Sequence, residues 1–261
     1  MSGVPWLVLP TYNEAENLEK MIAAAGSVLE SATSDGFAIL VADDSSPDGT
    51  GQIADRLAAE HEWVHVLHRT KKEGIGPAYI AGFKYALAHG ADYVMEMDCD
   101  FSHDPADLAR LLAAVDRVGG GEADLALGSR YTPGGGVTDW GLLRRFISYG
   151  GSTYARIILG LKVKDLTGGF KCFRREVLEA IDLDSVRAQG YAFQVELTYR
   201  AVRNGFTVQE VPIVFRDREH GASKMSWRIT VEAMWLVPGL RFGRHRRSAS
   251  PEAESKSAAL H

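Results

Sequence analysis

Two aspartates in the stretch MEMDCDFSHDP, Asp98 and Asp100, are separated by a single residue at the end of a short apolar run. Two carboxylates this close repel each other unless a positive charge lies between them. Because side chains alternate along an extended chain, both carboxylates can point to the same side. With no cysteine or histidine cluster beside them, they suit a hard divalent cation such as Mg²⁺ or Mn²⁺. The alternative is a solvated acidic turn in which Asp104 caps the next helix.

Two further polar clusters contain groups that can bind a nucleotide. In PTYNE, Tyr12 can stack on a nucleobase and Glu14 can pair with it. In VADDSSPDGT, Asp43 can accept hydrogen bonds from a ribose or from a base N–H. Each cluster also has a purely structural explanation, in which Asn13 caps the first helix and residues 46–50 form a turn and cap the second.

Short apolar runs alternate with longer amphipathic stretches along the first half of the chain, which predicts five strands separated by four helices. The predicted strands span residues 6–10, 37–44, 63–69, 92–98 and 124–131, and the predicted helices span 13–30, 50–61, 77–89 and a segment that opens at Pro105. This alternation is typical of an α/β fold with a mostly parallel central sheet and helices on both faces. Ligands bind such sheets beyond the carboxyl ends of the strands, which is where the polar clusters lie.

The second half of the chain is less regular. Its predicted elements are a helix over residues 142–163, a strand running into a helix over 168–181, a helix over 193–205 and a strand over 206–213. The loop that follows carries Arg218 and Lys224, which suit closure over phosphates or, alternatively, a solvated charged surface.

The C-terminal segment is predicted to differ from the rest. A domain over residues 1–226 is followed by an amphipathic helix with a basic end over 227–247 and a disordered tail over 248–261. Tryptophans on one face of that helix suit a membrane interface, and the alternative is a helix packed on the core.

Composition excludes several functional classes. The 261 residues carry a net charge of −5, which argues against a nucleic-acid binder, and two cysteines are too few for a disulfide framework or a zinc site. No Gly-x-Gly-x-x-Gly follows the first strand, which argues against a nicotinamide or flavin enzyme. The chain has neither signal-peptide features nor a run of about 18 apolar residues. We therefore expect a cytoplasmic protein that is soluble or lies on a membrane without crossing it; the family resemblance described next favours a peripheral protein on the cytoplasmic face of the membrane.

Six motifs, taken in order, resemble those of the inverting family-2 glycosyltransferases of GT-A fold: LPTYNEAENL, VADDSSPDGT, EMDCDFSHDP, GSRY, TGGFKCFRREVL and FRDREHGASKMS. Within that family, SHDP and TGGFKCFRR resemble the polyprenol (dolichol) monophosphate mannose synthases more than the cellulose- or chitin-type synthases, whose Q-x-x-R-W stretch is absent. The resemblance covers roughly residues 5–226. It departs at Ser102, where members can carry a metal-binding glutamine, and in the absence of the C-terminal membrane spans that some members have.

The resemblance implies a binding site for GDP-mannose. The residues that it assigns to the guanosine are Pro10, Tyr12, Glu14, Val41 and Asp43. The residues that it assigns to the ribose, the diphosphate and a Mg²⁺ or Mn²⁺ ion are Asp98, Cys99 and Asp100, with Asp100 as the chief metal ligand, Asp98 as a second and Ser102 as a weaker one. The residues that it assigns to phosphate contacts are Arg130, Arg218 and Lys224, which form the implied catalytic set together with Asp100.

The implied reaction transfers mannose from GDP-mannose to a polyprenyl phosphate lipid with inversion, giving polyprenyl phosphate β-mannose and GDP. The implied partners are the membrane surface and a membrane-spanning protein, with no nucleic acid. Two alternatives stay open. One is a related enzyme that uses UDP-glucose or another nucleotide sugar, and the other is a non-catalytic binding module of the same fold. The intact acidic and basic positions argue against the second.

Overall fold

Nine strands and seven α-helices are found in the computed structural model, which describes residues 3–138, 141–186, 188–216 and 237–242. The strands are β1 Pro5–Thr11, β2 Ala38–Asp43, β3 Val64–His68, β4 Tyr93–Glu96, β5 Leu125–Ser129, β6 Gly136–Val137, β7 Lys171–Arg174, β8 Val208–Pro212 and β9 Val214–Phe215. The helices are α1 Leu18–Ala32, α2 Thr50–Glu60, α3 Ile75–Ala88, α4 Leu108–Val115, α5 Leu142–Leu159, α6 Arg175–Ala180 and α7 Tyr191–Arg203, with short 3₁₀ turns at Pro105–Asp107 and Leu183–Ser185.

A seven-stranded sheet with the order β3-β2-β1-β4-β7-β5-β8 forms the centre of the molecule. The pairs β1–β2, β1–β4, β2–β3 and β5–β8 are parallel, so the predicted mostly parallel α/β sheet is confirmed. β7 runs antiparallel to both of its neighbours, β4 and β5. The residue pattern of a strand of only four residues is the same whether the strand runs parallel or antiparallel to its neighbours. The sequence therefore did not predict the direction of β7.

Alternation along the strands fills a hydrophobic core on each face of the sheet. On β1, Leu7 and Leu9 belong to one buried cluster, together with residues of α1, α2 and α4. Trp6 and Val8 belong to the other, together with residues of α3 and α7. This two-residue period is what a sheet covered by helices on both faces requires.

Two helix starts differ from the sequence-based expectation by three or more residues. The first helix begins at Leu18, so the prediction that Asn13 caps it was wrong; Asn13 instead has a left-handed backbone conformation with φ 60°. Pro105 opens a 3₁₀ turn before α4, and the Asp104 side chain caps that turn by accepting a hydrogen bond of 3.0 Å from the N–H of Ala106. The cap by Asp104, which belonged to the alternative of a solvated acidic turn, is therefore present.

A small second sheet, β6 paired with β9, was not predicted, because strands of two residues leave no pattern in the sequence. It brings the chain after β8 back to the acidic loop that follows β4. The N–H of Arg216 donates a hydrogen bond of 3.0 Å to the carbonyl of Ser102. The segment that leads into the predicted cationic loop therefore starts beside the acidic pair.

Most of the predicted C-terminal helix and the predicted tail lie outside the described residues. Residues 237–242 are helical, and Val237 and Leu240 pack with Leu159 of α5 in a third buried cluster. This part of the helix therefore packs on the core, as one of the two alternatives expected. Within the part of the chain that the structure describes, none of the helices combines the length and the apolar character needed to span a bilayer.

Candidate active site

The polar clusters that follow β1, β2 and β4 meet at one edge of the sheet. Along the chain, β2 and β3 are added on one side of β1, and β4 is then added on its other side. The strand order therefore reverses between β1 and β4. Crevices at such switch points are where ligands bind open parallel sheets. Tyr12 and Glu14 follow β1 and the two aspartates follow β4, so these groups border the crevice.

The backbone at this edge is held in an uncommon conformation. Three described non-glycine residues have left-handed φ values, Asn13 at 60°, Ser45 at 54° and Phe101 at 57°, and they follow β1, β2 and β4 respectively. Such conformations persist only where the surroundings enforce them, and they cluster at functional sites. Here the N–H of Asn13 donates to Oγ of Ser46 at 3.0 Å, and Oγ of Ser45 donates to the carbonyl of Arg69 at 2.6 Å.

The turn after β1 carries the residues expected at the nucleobase. Pro10 is partly buried at the end of the strand, and Tyr12 is partly exposed in the turn. The Nζ atom of Lys72 lies 3.6 Å from the centroid of the Tyr12 ring. Oε2 of Glu14 accepts a hydrogen bond from the side chain of Asn17 at 3.0 Å. The structure therefore brings Pro10, Tyr12 and Glu14 to the same turn.

Asp43, at the end of β2, is fixed by three hydrogen bonds. Its carboxylate accepts from Oγ1 of Thr11 at 3.0 Å, from the N–H of Ser46 at 3.0 Å and from Oγ of Ser46 at 2.5 Å. These bonds tie the ends of β1 and β2 together through a carboxylate that is 2% exposed. The side chain of Val41, two residues earlier, is fully buried in the hydrophobic core, so the structure does not bring that side chain to the edge.

The acidic pair follows β4, and each carboxylate accepts a hydrogen bond from a hydroxyl group. Oδ1 of Asp98 accepts from the Tyr79 hydroxyl at 3.1 Å. Oδ1 of Asp100 accepts from Oγ of Ser102 at 2.5 Å and from the N–H of Ser102 at 3.0 Å. Cys99, between them, packs into the hydrophobic core, and burial raises the pKa of its thiol well above the usual value. A protonated thiol in that position is a packing group, not a nucleophile.

The acidic pair has the donor set that a hard cation prefers. Among the described residues there is no group of three or more histidine, cysteine or acidic side chains arranged around a possible metal position. Mg²⁺ is commonly bound by one or two carboxylates, with its remaining positions filled by water and substrate phosphates. Asp98 and Asp100 fit that arrangement, and they do not fit a structural zinc site.

Arg130, after β5, forms a buried ion pair with Asp165. Its Nε and Nη2 atoms donate to the two carboxylate oxygens of Asp165 at 2.7 and 2.6 Å, and its main-chain N–H donates to the same carboxylate at 2.9 Å. Burial alone would raise the pKa of Asp165, but the charge and hydrogen bonds of Arg130 outweigh it and lower that pKa. The predicted contact of Arg130 with a phosphate stays a prediction.

A second buried ion pair lies under the same edge. Lys171 on β7 faces Glu96 on β4, with Nζ and Oε1 2.9 Å apart, and it also donates to the side chain of Gln194 on α7. Both charged side chains are fully buried. Burial lowers the pKa of Lys171 and raises that of Glu96, and the attraction between the two opposes both shifts.

His103 lies between the acidic loop and the second sheet. Its imidazole is 2% exposed and packs against the rings of Phe170 and Phe215, with centroid distances of 4.9 and 5.0 Å. Nδ1 of this buried ring has no hydrogen-bond partner among the residues that the structure describes. Burial, opposed by the nearby Asp100 carboxylate, lowers the pKa of His103 to about 4. The imidazole is therefore neutral near neutral pH.

The model of the glycosyl transferase family 2 matches residues 6–182. This chain belongs to glycosyl transferase family 2. It is 50% identical over 232 residues to a polyprenol monophosphomannose synthase from Mycolicibacterium smegmatis, a match that covers 88% of this chain and 84% of the relative. It is 48% identical over 227 residues to an undecaprenyl-phosphate mannosyltransferase from Micrococcus luteus, covering 87% and 89%. The family predicted from the six motifs is thus confirmed.

Solved structures of another glycosyltransferase share the fold. Glucosyl-3-phosphoglycerate synthase from Mycobacterium tuberculosis, in complex with Mn²⁺, UDP and phosphoglyceric acid, superimposes with a TM-score of 0.64 at 19% identity, covering 94% of this chain and 80% of the other. Its complex with Mg²⁺ and UDP gives a TM-score of 0.62 at 18% identity, covering 91% and 80%. At this identity the likeness concerns the fold alone, and the predicted GT-A fold is confirmed.

Not all of the family 2 site was predicted from the sequence. Arg218 and Lys224 lie outside the described residues, so their phosphate contacts stay predictions. The contacts of Lys72 with Tyr12 and of Arg69 with Asp44 were missed. The sequence could have indicated both residues, because RTKKEGIG follows β3 in the same way that the other polar clusters follow their strands.

Proposed function

We propose that this family 2 enzyme transfers mannose from GDP-mannose to a polyprenyl phosphate, with inversion, to give polyprenyl phosphate β-mannose and GDP. The observation that carries the proposal is the identity of 50% and 48% to two relatives that are named for mannose transfer to polyprenol-type monophosphates. The acidic pair at the switch point supports it. Two carboxylates there can hold a divalent cation, and that cation supplies the positive charge that a nucleotide diphosphate needs.

The donor nucleotide would lie along the ends of β2, β1 and β4. Tyr12 supplies an aromatic face and Glu14 an acceptor for base N–H groups, while the fixed carboxylate of Asp43 is placed to accept from a base or a ribose. Because Lys72 lies over the Tyr12 ring, a base that stacks on that face has to displace the ammonium group.

Asp98 and Asp100 would hold a Mg²⁺ or Mn²⁺ ion, with Ser102 orienting Asp100 through its hydroxyl group. When bound, such an ion supplies charge that stabilises the departing diphosphate. Ser102 is 1% exposed, and its hydroxyl group donates a hydrogen bond to Asp100. We therefore assign Ser102 the role of holding the ligand Asp100 in place.

The acceptor needs no strong general base. A phosphate monoester is mostly ionised near neutral pH, since its second pKa is about 6. The residues that meet it therefore have to attract and orient an anion, which is the role proposed for Arg218, Lys224 and the buried Arg130. Since Asp165 fixes the Arg130 guanidinium, Arg130 contributes from one defined position.

A transfer assay tests the reaction directly. The chain is incubated with Mn²⁺, radiolabelled GDP-mannose and a short polyprenyl phosphate, with and without EDTA, and with UDP-glucose as a parallel donor. The expected result is a labelled lipid from GDP-mannose alone and its loss with EDTA. Transfer from UDP-glucose but not from GDP-mannose would contradict the donor assignment, and no transfer from any donor would favour a binding module.

The lipid tail of the acceptor requires the site to approach a bilayer. We propose that the protein is peripheral and lies on the cytoplasmic face of the membrane. Ile147, Tyr154 and Ile157 on α5 are 39%, 36% and 69% exposed, and their spacing of seven and three residues places them on one helical face. An exposed apolar stripe on a helix suits insertion at the headgroup level.

Flotation with liposomes that contain polyprenyl phosphate tests this surface. Ile157→Asp is expected to reduce the floated fraction. The matched control is Val118→Asp, at a 72% exposed valine in the connection between α4 and β5, near the amino ends of the strands. Equal flotation of the wild type and both variants would remove α5 from the membrane contact, and a chain truncated after residue 226 would then test the C-terminal segment.

A further inference from the structure

Tyr79 connects the buried core to the donor site. It belongs to α3, its side chain is fully buried, and its hydroxyl donates the 3.1 Å hydrogen bond to Oδ1 of Asp98. Asp98 itself is only partly buried and lies two residues after the end of β4. The hydroxyl is thus a rigidly placed donor that meets a carboxylate at the edge of the crevice.

The position of Tyr79 is determined by the packing of its ring and of its helix. The Phe83 ring lies 5.7 Å away, and the Phe193 ring of α7 lies 6.1 Å away and within 4° of parallel. Helix α3 also approaches β1 so closely that a Cβ atom at Gly82 would lie 2.4 Å from Cγ1 of Val8. Because the ring packs between two aromatic rings and the helix packs closely on β1, the hydroxyl is held near Asp98.

We infer that Tyr79 is a positioning residue of the donor site, whose hydroxyl orients the Asp98 carboxylate toward the nucleotide diphosphate and its metal ion. The inference rests on the proposed function, since it assumes that Asp98 meets the metal-bound nucleotide. A hydroxyl donor in a fixed place limits the orientations that an aspartate side chain at a partly exposed edge adopts. Loss of the hydroxyl should therefore weaken metal and nucleotide binding and leave the fold intact.

The test separates orientation of Asp98 from simple filling of the core. Tyr79→Phe keeps the ring and removes only the hydroxyl. Binding of Mn²⁺ in the presence of saturating GDP is followed through the electron paramagnetic resonance signal of free Mn²⁺, which needs no turnover. Tyr79→Phe is expected to weaken Mn²⁺ binding about tenfold, the usual value for a hydrogen bond to a charged group. Tyr85→Phe, on the same helix and stacked on His89, is the control that should leave binding unchanged.

A double-mutant cycle with Asp98→Asn decides whether Tyr79 acts through Asp98. If it does, Tyr79→Phe weakens Mn²⁺ binding by less than about twofold in the Asp98→Asn background. A similar loss in both backgrounds, or no loss in the wild-type background, would overturn the inference. A wild-type chain that binds no Mn²⁺ with GDP would instead contradict the proposed function. Thermal unfolding of all four proteins confirms that the comparison is made between folded chains.

Discussion

Carboxylates on the two sides of β4 are held in different ways. Three on the β1 side accept hydrogen bonds from hydroxyl or main-chain N–H groups; this donor-side group consists of Asp43, Asp98 and Asp100, and it leaves out Asp44, which pairs with Arg69. Two on the β7 side lie against a buried cation; this ion-paired group consists of Glu96 with Lys171 and Asp165 with Arg130. The two groups belong to one buried region and differ in the partners that the described residues give them.

The difference bears on function, although Arg130 of the ion-paired group is also proposed above to meet a phosphate. A hydrogen bond from a hydroxyl orients a carboxylate and leaves its negative charge in place, whereas an ion pair cancels that charge. The donor-side group therefore suits a site that receives a metal ion and a nucleotide. The ion-paired group joins β4 to β7 and the end of β5 to the loop before β7, and so holds the antiparallel insertion in register.

The largest effect is expected from breaking the ion-paired group. Asp165→Asn leaves the Arg130 guanidinium buried beside a neutral amide, and an uncompensated buried charge costs about 3–5 kcal/mol of unfolding free energy. Urea unfolding measures this loss. The same substitution in the donor-side group, Asp100→Asn, is expected to change the unfolding free energy by less than about 1 kcal/mol. Equal destabilisation by the two variants would erase the distinction between the groups.

The next largest effect concerns activity. Asp100→Asn keeps the shape of the chief proposed metal ligand and removes its charge. Transfer of mannose, measured as kcat/KM, is expected to fall about 100-fold or more, as for other losses of charge stabilisation in a transition state. A variant that retains more than about a tenth of the wild-type activity would argue against Asp100 as the chief ligand.

His103 lies between the two groups and makes stability depend on pH. Its pKa of about 4 in the folded chain lies below the ordinary value of 6.5, so the unfolded chain takes up the proton first as the pH falls. Stability contributed by the neutral imidazole is therefore present above pH 6.5 and is lost progressively as the pH falls toward 4. Between pH 7 and pH 5 the wild type should lose about 2 kcal/mol more than His103→Phe. Parallel urea titrations at both pH values check this, and identical losses would contradict it.

The smallest effect is expected at Ser46, which donates two hydrogen bonds to Asp43 and accepts one from Asn13. Ser46→Ala removes the hydroxyl and keeps the main-chain N–H. One such bond is worth about 1 kcal/mol, so GDP affinity should fall about fivefold. Calorimetry with GDP measures this change. No change would mean that Thr11 and the remaining N–H suffice to position Asp43.

The donor-side group could be predicted because its chemistry lies in consecutive residues. Asp98 and Asp100 follow β4, and Asp43 ends β2, so one rule about the carboxyl ends of parallel strands brings them together. The conformation of that edge was not accessible in the same way. Asparagine is a common helix cap. Here, however, the N–H of Asn13 donates a hydrogen bond to Ser46 in the turn after β2, and Asn13 has a left-handed conformation.

The ion-paired group could not be predicted, because its partners are distant along the chain. Lys171 meets Glu96 only because β7 inserts antiparallel between β4 and β5, and that insertion depends on packing of the whole second half. Arg130 and Asp165 meet through the same insertion. A buried lysine inside GGFKCF has no local feature that marks it as ion-paired.

The central claim is that the acidic pair binds a sugar nucleotide through a divalent ion. Calorimetric titration of GDP into the wild-type chain and Asp100→Asn, each with Mn²⁺ and with excess EDTA, tests it most directly. We predict that the chelator and the substitution each weaken GDP binding at least about tenfold, and that EDTA has little further effect on the variant. GDP affinity that is the same under all four conditions would contradict the account.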